Sequence, residues 1–255
     1  MKIARVLFKK KIYWAKVEGD SVAFLKKEPF GSIVLSGQSA ALQKVTLLAP
    51  CVPSKVILVG LNYKDHAREL KMPLPKEPLI FLKPPTAVIG HQANIDYPPL
   101  VSRLDYEAEL AIVIGKKAKA VPPDAARRYI FGYTCLNDVT ARDIQKKEIQ
   151  WTRAKSYDTF APLGPWIETK FDPRRVGIAL YLNGERKQNS TTAHFIFSPF
   201  YLVSFISRVM TLLPGDIIST GTPPGVGPMR AGDKVEVEIT GIGRLANRVR
   251  KTKKT

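Results

Sequence analysis

The sequence has few cysteines and no long hydrophobic run. Its 255 residues include two cysteines, Cys51 and Cys135, whose spacing matches neither a metal-binding pair nor a disulfide framework. The best candidate for a membrane span, residues 200–210, is interrupted by two serines and an arginine and is shorter than the roughly 18 residues that a transmembrane helix needs. The apolar residues near the N-terminus are too few for a signal peptide. We therefore expect a cytoplasmic protein without a membrane segment, and we assign no chemistry to the cysteines.

Acidic residues are scarce relative to basic ones. The chain has 22 Asp and Glu against 40 Lys and Arg, a formal net charge of +18, and most of the excess lies in residues 1–30 and 241–255. This charge makes nucleic-acid binding an alternative function, but no RRM, KH or helix-turn-helix pattern accompanies it. Hydrophobic residues make up 45% of the chain, as in an ordinary folded protein. We therefore expect the basic excess to be peripheral to the chemistry.

Short strand-like segments dominate the hydrophobic pattern. Residues 2–8, 11–17 and 21–25 predict a small antiparallel N-terminal β domain over residues 1–50, and prolines near residue 50 mark its end. Further strands are predicted in the larger domain, residues 51–255, at 55–60, 79–82, 104–114, 132–137, 176–182, 216–219, 233–240 and 242–249. Helical periodicity is confined to segments at 63–70, 123–130, 140–148 and 199–211. The sequence therefore predicts an α+β fold that is predominantly β.

Two glutamates stand at the start of an otherwise apolar strand. On a strand spanning 104–114, Glu107 and Glu109 point to the same face, roughly 7 Å apart. Asp138 ends another apolar segment, 132–137, and its side chain can join the pair at the sheet edge. Buried carboxylates that lie close together need a shared proton, a basic partner or a divalent cation. Three oxygen ligands without cysteine or clustered histidine suit a hard cation such as Mg2+ or Mn2+, and pairing with some of the many basic residues is the alternative.

A histidine and a glutamate occur at helical spacing just after a predicted strand. If the residues from 63 onward are helical, His66 and Glu69 lie three residues apart on one face, where the carboxylate can orient the imidazole as a general base. An ion pair on the helix surface is the alternative explanation. The position directly after a buried strand favours a functional role.

Three further polar residues are candidates for binding an anionic substrate. Thr222 lies in the Gly/Pro-rich segment 219–228, whose backbone N–H groups and threonine hydroxyl can hold a carboxylate. A turn with structural glycines is the commoner explanation for such a segment. Lys83 and Lys155 interrupt compact apolar segments and can neutralise an anion, although surface lysines are far commoner.

Six ordered motifs between residues 56 and 227 resemble those of the fumarylacetoacetate hydrolase family. They are Val59-Gly-Leu-Asn-Tyr-Lys-Asp-His66, Phe81-Leu-Lys-Pro84, Asp105-Tyr-Glu-Ala-Glu109, Asn137-Asp-Val-Thr-Ala-Arg-Asp143, Trp151-Thr-Arg-Ala-Lys-Ser156 and Thr220-Gly-Thr-Pro-Pro-Gly-Val-Gly227. The resemblance implies the family's mixed β-roll fold, usually as a homodimer. It also implies a Mg2+ ion held by Glu107, Glu109 and Asp138, with Mn2+ or Ca2+ as alternative ions.

The resemblance assigns roles to the other candidate residues. It implies that His66 and Glu69 form the dyad that activates water, with Lys155 as a further catalytic group. Lys83 and Gln145 resemble substrate-binding groups of the family, and Thr222 resembles the contact to the substrate carboxylate.

Enzymes of this family act on small 2-oxo acids in several ways. Members hydrolyse acylpyruvates or fumarylacetoacetate, decarboxylate oxaloacetate, or isomerise compounds of the 2-hydroxyhepta-2,4-diene-1,7-dioate type, and all use a metal to stabilise an enolate. We expect Mg2+-dependent hydrolysis of a C–C bond in an acylpyruvate or a small 2-oxo dicarboxylate, with isomerisation or decarboxylation as the alternative. A non-catalytic dimeric scaffold is a third alternative, against which the complete set of acidic and basic groups argues. Leu61 stands where some members have Arg, so the specific substrate stays open.

Overall fold

β-strands form most of the regular structure in this computed structural model, which describes residues 1–252. The predominantly β, α+β fold predicted from the sequence is confirmed, because helices are few and short. Among the described residues, no helix combines the length and the apolar character needed to cross a bilayer. Residues 253–255, the end of the basic C-terminal segment, lie outside the described residues.

The N-terminal segment forms an antiparallel meander. Its strands are β1 (Lys2–Phe8), β2 (Lys11–Glu18), β3 (Ser21–Leu25), β4 (Leu35–Ala41) and β5 (Thr46–Leu47). β1 pairs with β2 on one edge and with β5 on the other. Alternating residues of the meander, including Ala4, Val6 and Phe24, bury a small apolar cluster of their own. We keep residues 1–50 as a proposed domain, with residues 51–255 as the second.

The central part of the chain supplies most of the elements around the candidate site. Its strands are β6 (Val56–Val59), β7 (Ile80–Lys83), β8 (Val88–Ile89), β9 (Asn94–Tyr97), β10 (Leu104–Tyr106), β11 (Ala108–Ile114), β12 (Ile130–Asn137), β13 (Thr140–Ala141) and β14 (Ala161–Glu168). Its helices are α1 (Lys64–Glu69), α2 (Arg142–Lys147) and α3 (Thr152–Lys155). β1 pairs with β14, so the N-terminal meander is continuous with the sheet of this part.

The C-terminal part completes the strand set. It contains β15 (Gly177–Leu182), β16 (Glu185–Thr191), β17 (Ile217–Ser219), β18 (Gly227–Met229), β19 (Lys234–Ile239) and β20 (Gly243–Lys251), with helix α4 (Pro199–Val209) between β16 and β17. Asn183 and Gly184 join β15 to β16 with φ values of 53° and 85°. Two successive left-handed residues are what an Asn-Gly hairpin turn requires.

Within residues 1–252 the strands form sheets of twelve, five and three strands. In the largest sheet, β6 and β17 are parallel neighbours, and β11 runs antiparallel to β17. The C-terminal ends of β6 and β17 therefore lie at the same edge as the start of β11. β12 pairs antiparallel with β11 and ends at that edge too, because Asn137 lies opposite Ala108. This edge carries the candidate site.

The strand predicted over 104–114 is interrupted at Glu107. β10 joins the three-stranded sheet, whereas β11 belongs to the twelve-stranded sheet. Side-chain acceptors replace strand neighbours at the break, since the N–H of Glu107 donates to Oδ1 of Asn137 and that of Ala108 donates to Oε1 of Gln188, both at 2.9 Å. The prediction of one continuous strand was therefore wrong at a single residue, Glu107, which is also a predicted metal ligand.

One predicted helix is wrong. Residues 123–130 contain only a short 3-10 turn, Ala126–Tyr129, after which the chain enters β12 directly. The pair of prolines at 122–123 precedes this turn and accepts its first hydrogen bonds through backbone carbonyls. The helices predicted at 63–70, 140–148 and 199–211 are present as α1, α2 and α4, each shorter than predicted.

Candidate metal and catalytic site

Three buried carboxylates meet where β11 begins and β12 ends. Oxygen atoms of Glu107, Glu109 and Asp138 all lie within 4.8 Å of one another. Glu107 occupies the break between β10 and β11, Glu109 is the second residue of β11, and Asp138 directly follows β12. None of the three residues is more than 6% exposed. The fold thus brings together the three residues that the sequence predicted as metal ligands.

Two buried lysines reach the same carboxylates from other elements. Lys83, at the end of β7, places Nζ 2.6 Å from Oδ1 of Asp138. Lys155, at the end of α3, places Nζ 2.5 Å from Oδ2 of Asp138 and 3.1 Å from Oε2 of Glu107. Lys83 also donates to the backbone carbonyl of Val139 at 2.9 Å. The carboxylates therefore lie close to one another and also pair with basic residues, which was the alternative explanation from the sequence.

Arg142 is a third cation of this group, and the sequence analysis did not single it out. Its Nη2 is hydrogen-bonded to Oε1 of Glu107, and its Nε lies 2.8 Å from Oδ2 of Asp105. Asp105 is 1% exposed and also accepts a hydrogen bond from Nε of Arg103 at 2.8 Å. Nη1 of Arg142 donates to Oε1 of Gln145, so the predicted substrate-binding residue Gln145 is linked to the site through this arginine.

The cations affect the two glutamates differently. Burial raises the pKa of Glu107, but the charges of Lys155 and Arg142 outweigh burial and lower that pKa to about 2. Burial and the Asp138 carboxylate raise the pKa of Glu109 well above its ordinary value, although a hydrogen bond from Ser219 opposes the shift. Glu109 forms no ion pair within residues 1–252, so it is the carboxylate of the three that lacks a cationic partner.

This donor set fits a divalent cation. Oε2 of Glu109 accepts hydrogen bonds from Ser219 Oγ at 2.5 Å and from the N–H of Gly221 at 2.9 Å, which fix the carboxylate in place. Its other oxygen has no hydrogen-bond donor among the described residues. Three converging carboxylates, one of which has no cationic partner among the described residues, provide the hard oxygen ligands that Mg2+ and Mn2+ prefer.

The predicted dyad is formed on α1. Nδ1 of His66 lies 2.7 Å from Oε2 of Glu69, and the histidine side chain is 13% exposed while that of the glutamate is 43% exposed. A carboxylate can only accept a hydrogen bond, so the proton lies on Nδ1 and the lone pair of the neutral ring lies on Nε2. A histidine oriented in this way can serve as a general base through Nε2.

A glycine-rich loop connects the dyad to the carboxylates. Gly221 donates to Glu109, and the N–H of Gly225 donates to Oε1 of Glu69 at 3.1 Å. Both glycines have positive φ, +88° and +93°, and a Cβ on Gly225 would lie 2.4 Å from the carbonyl oxygen of Lys187. The glycines are therefore structurally required, and the same loop spans the two groups of functional candidates.

Thr222 lies on this loop between the two glycines. It is 7% exposed, and its Oγ1 accepts a hydrogen bond from Nε2 of Gln188 at 3.0 Å. Gln188 comes from β16, in the five-stranded sheet, and was missed by the sequence analysis. Its only sequence signal is an amide in a polar hairpin strand, where nothing indicates burial.

Asn62 is a further residue that positions the site. Its Nδ2 donates to the carbonyl of Thr220 at 2.7 Å, and its Oδ1 accepts from the N–H of Phe197 at 2.7 Å. These bonds hold the turn before α1 against the glycine-rich loop. The predicted site residues therefore form two groups, the carboxylates with Lys83 and Lys155, and the dyad, with Thr222 on the loop between them.

Comparison with known proteins identifies two family models along the chain. A model described as "Fumarylacetoacetate (FAA) hydrolase C-terminal" matches residues 55–250. A second, described as "Rv2993c-like, N-terminal", matches residues 1–50. Together they span nearly the whole chain.

Individual relatives carry different enzyme names. A crystal structure of 5-carboxymethyl-2-hydroxymuconate delta-isomerase from Mycobacterium smegmatis is 44% identical, with a TM-score of 0.94 over 99% of this chain and 100% of that one. The mitochondrial oxaloacetate tautomerase FAHD2B of Bos taurus is 44% identical over 81% of this chain and 70% of its own length. Maleylpyruvate hydrolase from Sphingobium sp. SYK-6, solved with manganese(II) and pyruvate, is 29% identical, with a TM-score of 0.82 over 99% of this chain and 100% of that one.

Proposed function

The chain belongs to the fumarylacetoacetate hydrolase family, and we propose that it is a divalent-metal-dependent enzyme acting on a small 2-oxo acid through its enolate. The observation that carries this proposal is the convergence of three buried carboxylate oxygens within 4.8 Å, with Glu109 lacking a cationic partner among the described residues. Glu107, Glu109 and Asp138 would hold the ion. Mg2+ is the ion we propose, and the manganese in the related maleylpyruvate hydrolase supports Mn2+ as a substitute.

The charges around the ligands favour an anionic substrate. Lys83, Lys155 and Arg142 place positive charge against Glu107 and Asp138, and Arg142 also contacts the buried Asp105. A bound divalent cation would add positive charge and supply electrostatic stabilisation of negative charge on the substrate oxygen. We therefore propose an anionic substrate, a 2-oxo acid or a 2-oxo dicarboxylate.

The remaining residues have roles that follow from their positions. Nε2 of His66 is the proton acceptor, held in its tautomer by Glu69. Lys83 and Lys155 place positive charge against the predicted metal ligands, and Arg142 with its partner Gln145 borders the same carboxylates. Thr222 lies on the loop that contacts both Glu69 and Glu109, and its hydroxyl would donate to a substrate carboxylate.

Hydrolysis of a C–C bond is the first candidate reaction. In this reaction His66 removes a proton from water, and the hydroxide attacks the carbonyl carbon whose bond to the enolate-forming carbon then breaks. The electron pair of that bond passes into the enolate, which receives the proton that His66 took from water, so that the neutral imidazole is restored as the product leaves. Hydrolysis is the reaction predicted from the sequence.

Tautomerisation or isomerisation is the second candidate reaction, and the names of the relatives at 44% identity favour it. Here His66 removes a proton from the carbon next to the 2-oxo group and a proton is returned elsewhere on the same enolate. This reaction needs one base and no water molecule. The two candidates therefore use the same residues and differ in where the proton of His66 comes from.

A substrate panel separates these candidates. The purified protein is assayed with acylpyruvates, enol-oxaloacetate, keto-oxaloacetate and hydroxydiene-dioates, in the presence of Mg2+, Mn2+ or EDTA. We expect turnover of at least one substrate class with metal and loss of that turnover with EDTA. The matched control is the isosteric variant Glu109→Gln, which should lack the turnover even with metal. Turnover that is equal with metal and with EDTA would contradict the proposal.

We also propose that the chain forms a homodimer, the assembly implied by the family resemblance. Large apolar side chains are exposed in the segment that follows α1, at Leu70, Met72, Leu74, Leu79 and Leu82. Exposed apolar residues in this number are typical of a surface that is covered in an assembly. Light scattering coupled to size-exclusion chromatography measures the mass, and a monomer at all concentrations would contradict the proposal.

A further inference from the structure

Gln188 connects two parts of the site although it touches neither the carboxylates nor the dyad. Its side chain is almost fully buried, with 1% of the residue exposed. Oε1 accepts the N–H of Ala108 at 2.9 Å, next to Glu107. Nε2 donates to Thr222 Oγ1 at 3.0 Å and to the carbonyl of Pro223 at 2.8 Å. One glutamine therefore spans the break before β11 and the glycine-rich loop.

The orientation of the Gln188 amide follows from its backbone partners. The N–H of Ala108 can only donate a hydrogen bond, and the carbonyl of Pro223 can only accept one. The amide oxygen must therefore face Ala108, and the amide nitrogen must face the loop. Its two N–H groups serve the two nearest acceptors, Pro223 at 2.8 Å and Thr222 at 3.0 Å, and the carbonyl of Pro224 at 3.4 Å is a longer third contact.

This orientation decides what the Thr222 hydroxyl can do. Because Oγ1 already accepts a hydrogen bond from Gln188, its own proton points to another acceptor. Within residues 1–252 no acceptor is hydrogen-bonded to that proton, and Thr222 keeps 7% of its surface exposed. Such a hydroxyl can donate its proton to an anionic or carbonyl oxygen of a ligand.

We propose that Gln188 is a positioning residue that makes Thr222 a hydrogen-bond donor and thereby selects a carboxylate at this point of the substrate. This inference rests on the proposed function, in which Thr222 contacts a 2-oxo acid. A carboxylate offers only acceptors, so it matches the Thr222 donor at each of its oxygens. An amide presents its NH2 in one of its two orientations, so it matches less well.

The position of Thr222 supports this role. Gly221, its neighbour on one side, donates to Glu109 of the predicted metal ligands. Gly225, three residues further on, donates to Glu69 of the dyad. Thr222 therefore belongs to the loop that contacts both the predicted metal ligands and the dyad.

The test measures binding of pyruvate and pyruvamide to the Mn2+-loaded protein by water-proton relaxation. In Gln188→Glu the second oxygen replaces Nε2, so the Thr222 proton turns toward residue 188 and away from the ligand. We expect the pyruvate Kd to rise about tenfold or more, the usual effect of losing a hydrogen bond to a charged group, and the preference for pyruvate over pyruvamide to shrink. The Mn2+ Kd should stay within about twofold of the wild type, because neither Gln188 nor Thr222 is a predicted ligand.

Two further variants distinguish positioning from packing. Gln188→Met has a similar shape and neither donates nor accepts, so it should weaken pyruvate binding less than Gln188→Glu does, and it serves as the test if the glutamate variant does not fold. In a Thr222→Val background, both changes at residue 188 should leave the pyruvate Kd unchanged. Equal losses with threonine and with valine at 222 would overturn the inference. Failure of the wild-type Mn2+ protein to bind pyruvate would instead overturn the proposed function on which the inference rests.

Discussion

The buried charges at the edge of β11 and the exposed charges of the N-terminal meander follow opposite rules. At the buried edge, Glu107 and Asp138 each contact cationic groups within 3.1 Å. At the β1–β2 turn, Lys9, Lys10 and Lys11 are consecutive and exposed, and none of them forms an ion pair within residues 1–252. The basic excess at this turn is therefore exposed and unpaired, whereas the buried charges of the candidate site are mostly paired with opposite charges.

The physical reason for this difference is the solvent. Exposed ammonium groups keep their hydration and are screened by salt, so an unpaired surface lysine costs little. A buried charge loses its hydration and must be compensated by a partner close by.

The largest effect is expected for Asp138→Asn. The substitution leaves the buried ammonium groups of Lys83 and Lys155 without their shared carboxylate, so the free energy of unfolding should fall by about 3–5 kcal/mol. Urea denaturation measures it. The matched control is Asp96→Asn, which removes the partner of the exposed Arg250 and should cost at most about 1 kcal/mol. Equal losses for both variants would mean that burial does not determine the strength of these pairs.

The next effect concerns catalysis and leaves stability unchanged. His66→Ala removes the proposed base from the partly exposed face of α1, and hydrolysis of the best acylpyruvate should slow by on the order of 10²-fold or more. Its Mn2+ affinity should remain near that of the wild type, because the histidine is not a predicted ligand. His194→Ala, which changes a histidine outside the site, is the control. If His66→Ala retains the wild-type rate and pH profile, His66 is not the base.

The smallest effect is expected at the basic turn. Lys9 and Lys10 both have positive φ, 47° and 65°, a conformation that costs ordinary residues about 1 kcal/mol each and suits Asn-Gly. Lys9→Asn combined with Lys10→Gly should therefore raise the free energy of unfolding by about 1 kcal/mol in total, because the larger conformational entropy that glycine loses on folding offsets part of the gain, while kcat and KM stay unchanged. A large change in kcat at low salt would show that the basic excess contributes to catalysis.

Much of the fold could be predicted from local pattern. β1 and β3 begin and end at the residues where the hydrophobic pattern places them, and the Asn183-Gly184 hairpin is present. These elements are determined by alternation and turn chemistry, which are local properties. The break at Glu107 was missed because the N–H groups of Glu107 and Ala108 donate to the side chains of Asn137 and Gln188, which are distant in the sequence.

The candidate site likewise contains residues that local pattern predicts and residues that only the fold brings together. The helical spacing of His66 and Glu69 indicated that these side chains meet, because both lie on α1. Glu107 and Glu109 also meet as predicted, although Glu107 lies in the break before β11 and not on one continuous strand with Glu109. Arg142 reaches Glu107 only because β10 pairs with β13, which places the start of α2 beside β10 and the glutamate that follows it. It lies within a motif that the sequence analysis quoted, so an arginine next to predicted acidic ligands is the signal that could have identified it.

Binding of Mn2+ by Glu109→Gln tests the central claim most directly. Glutamine has the shape of glutamate, and its amide oxygen can accept the hydrogen bonds that Ser219 and Gly221 donate to Oε2 of Glu109. We predict that the wild type binds one Mn2+ per chain in a titration followed by electron paramagnetic resonance, and that the variant, with an unchanged circular dichroism spectrum, binds none at the same concentrations. Equal Mn2+ affinity of the two proteins would contradict the metal site.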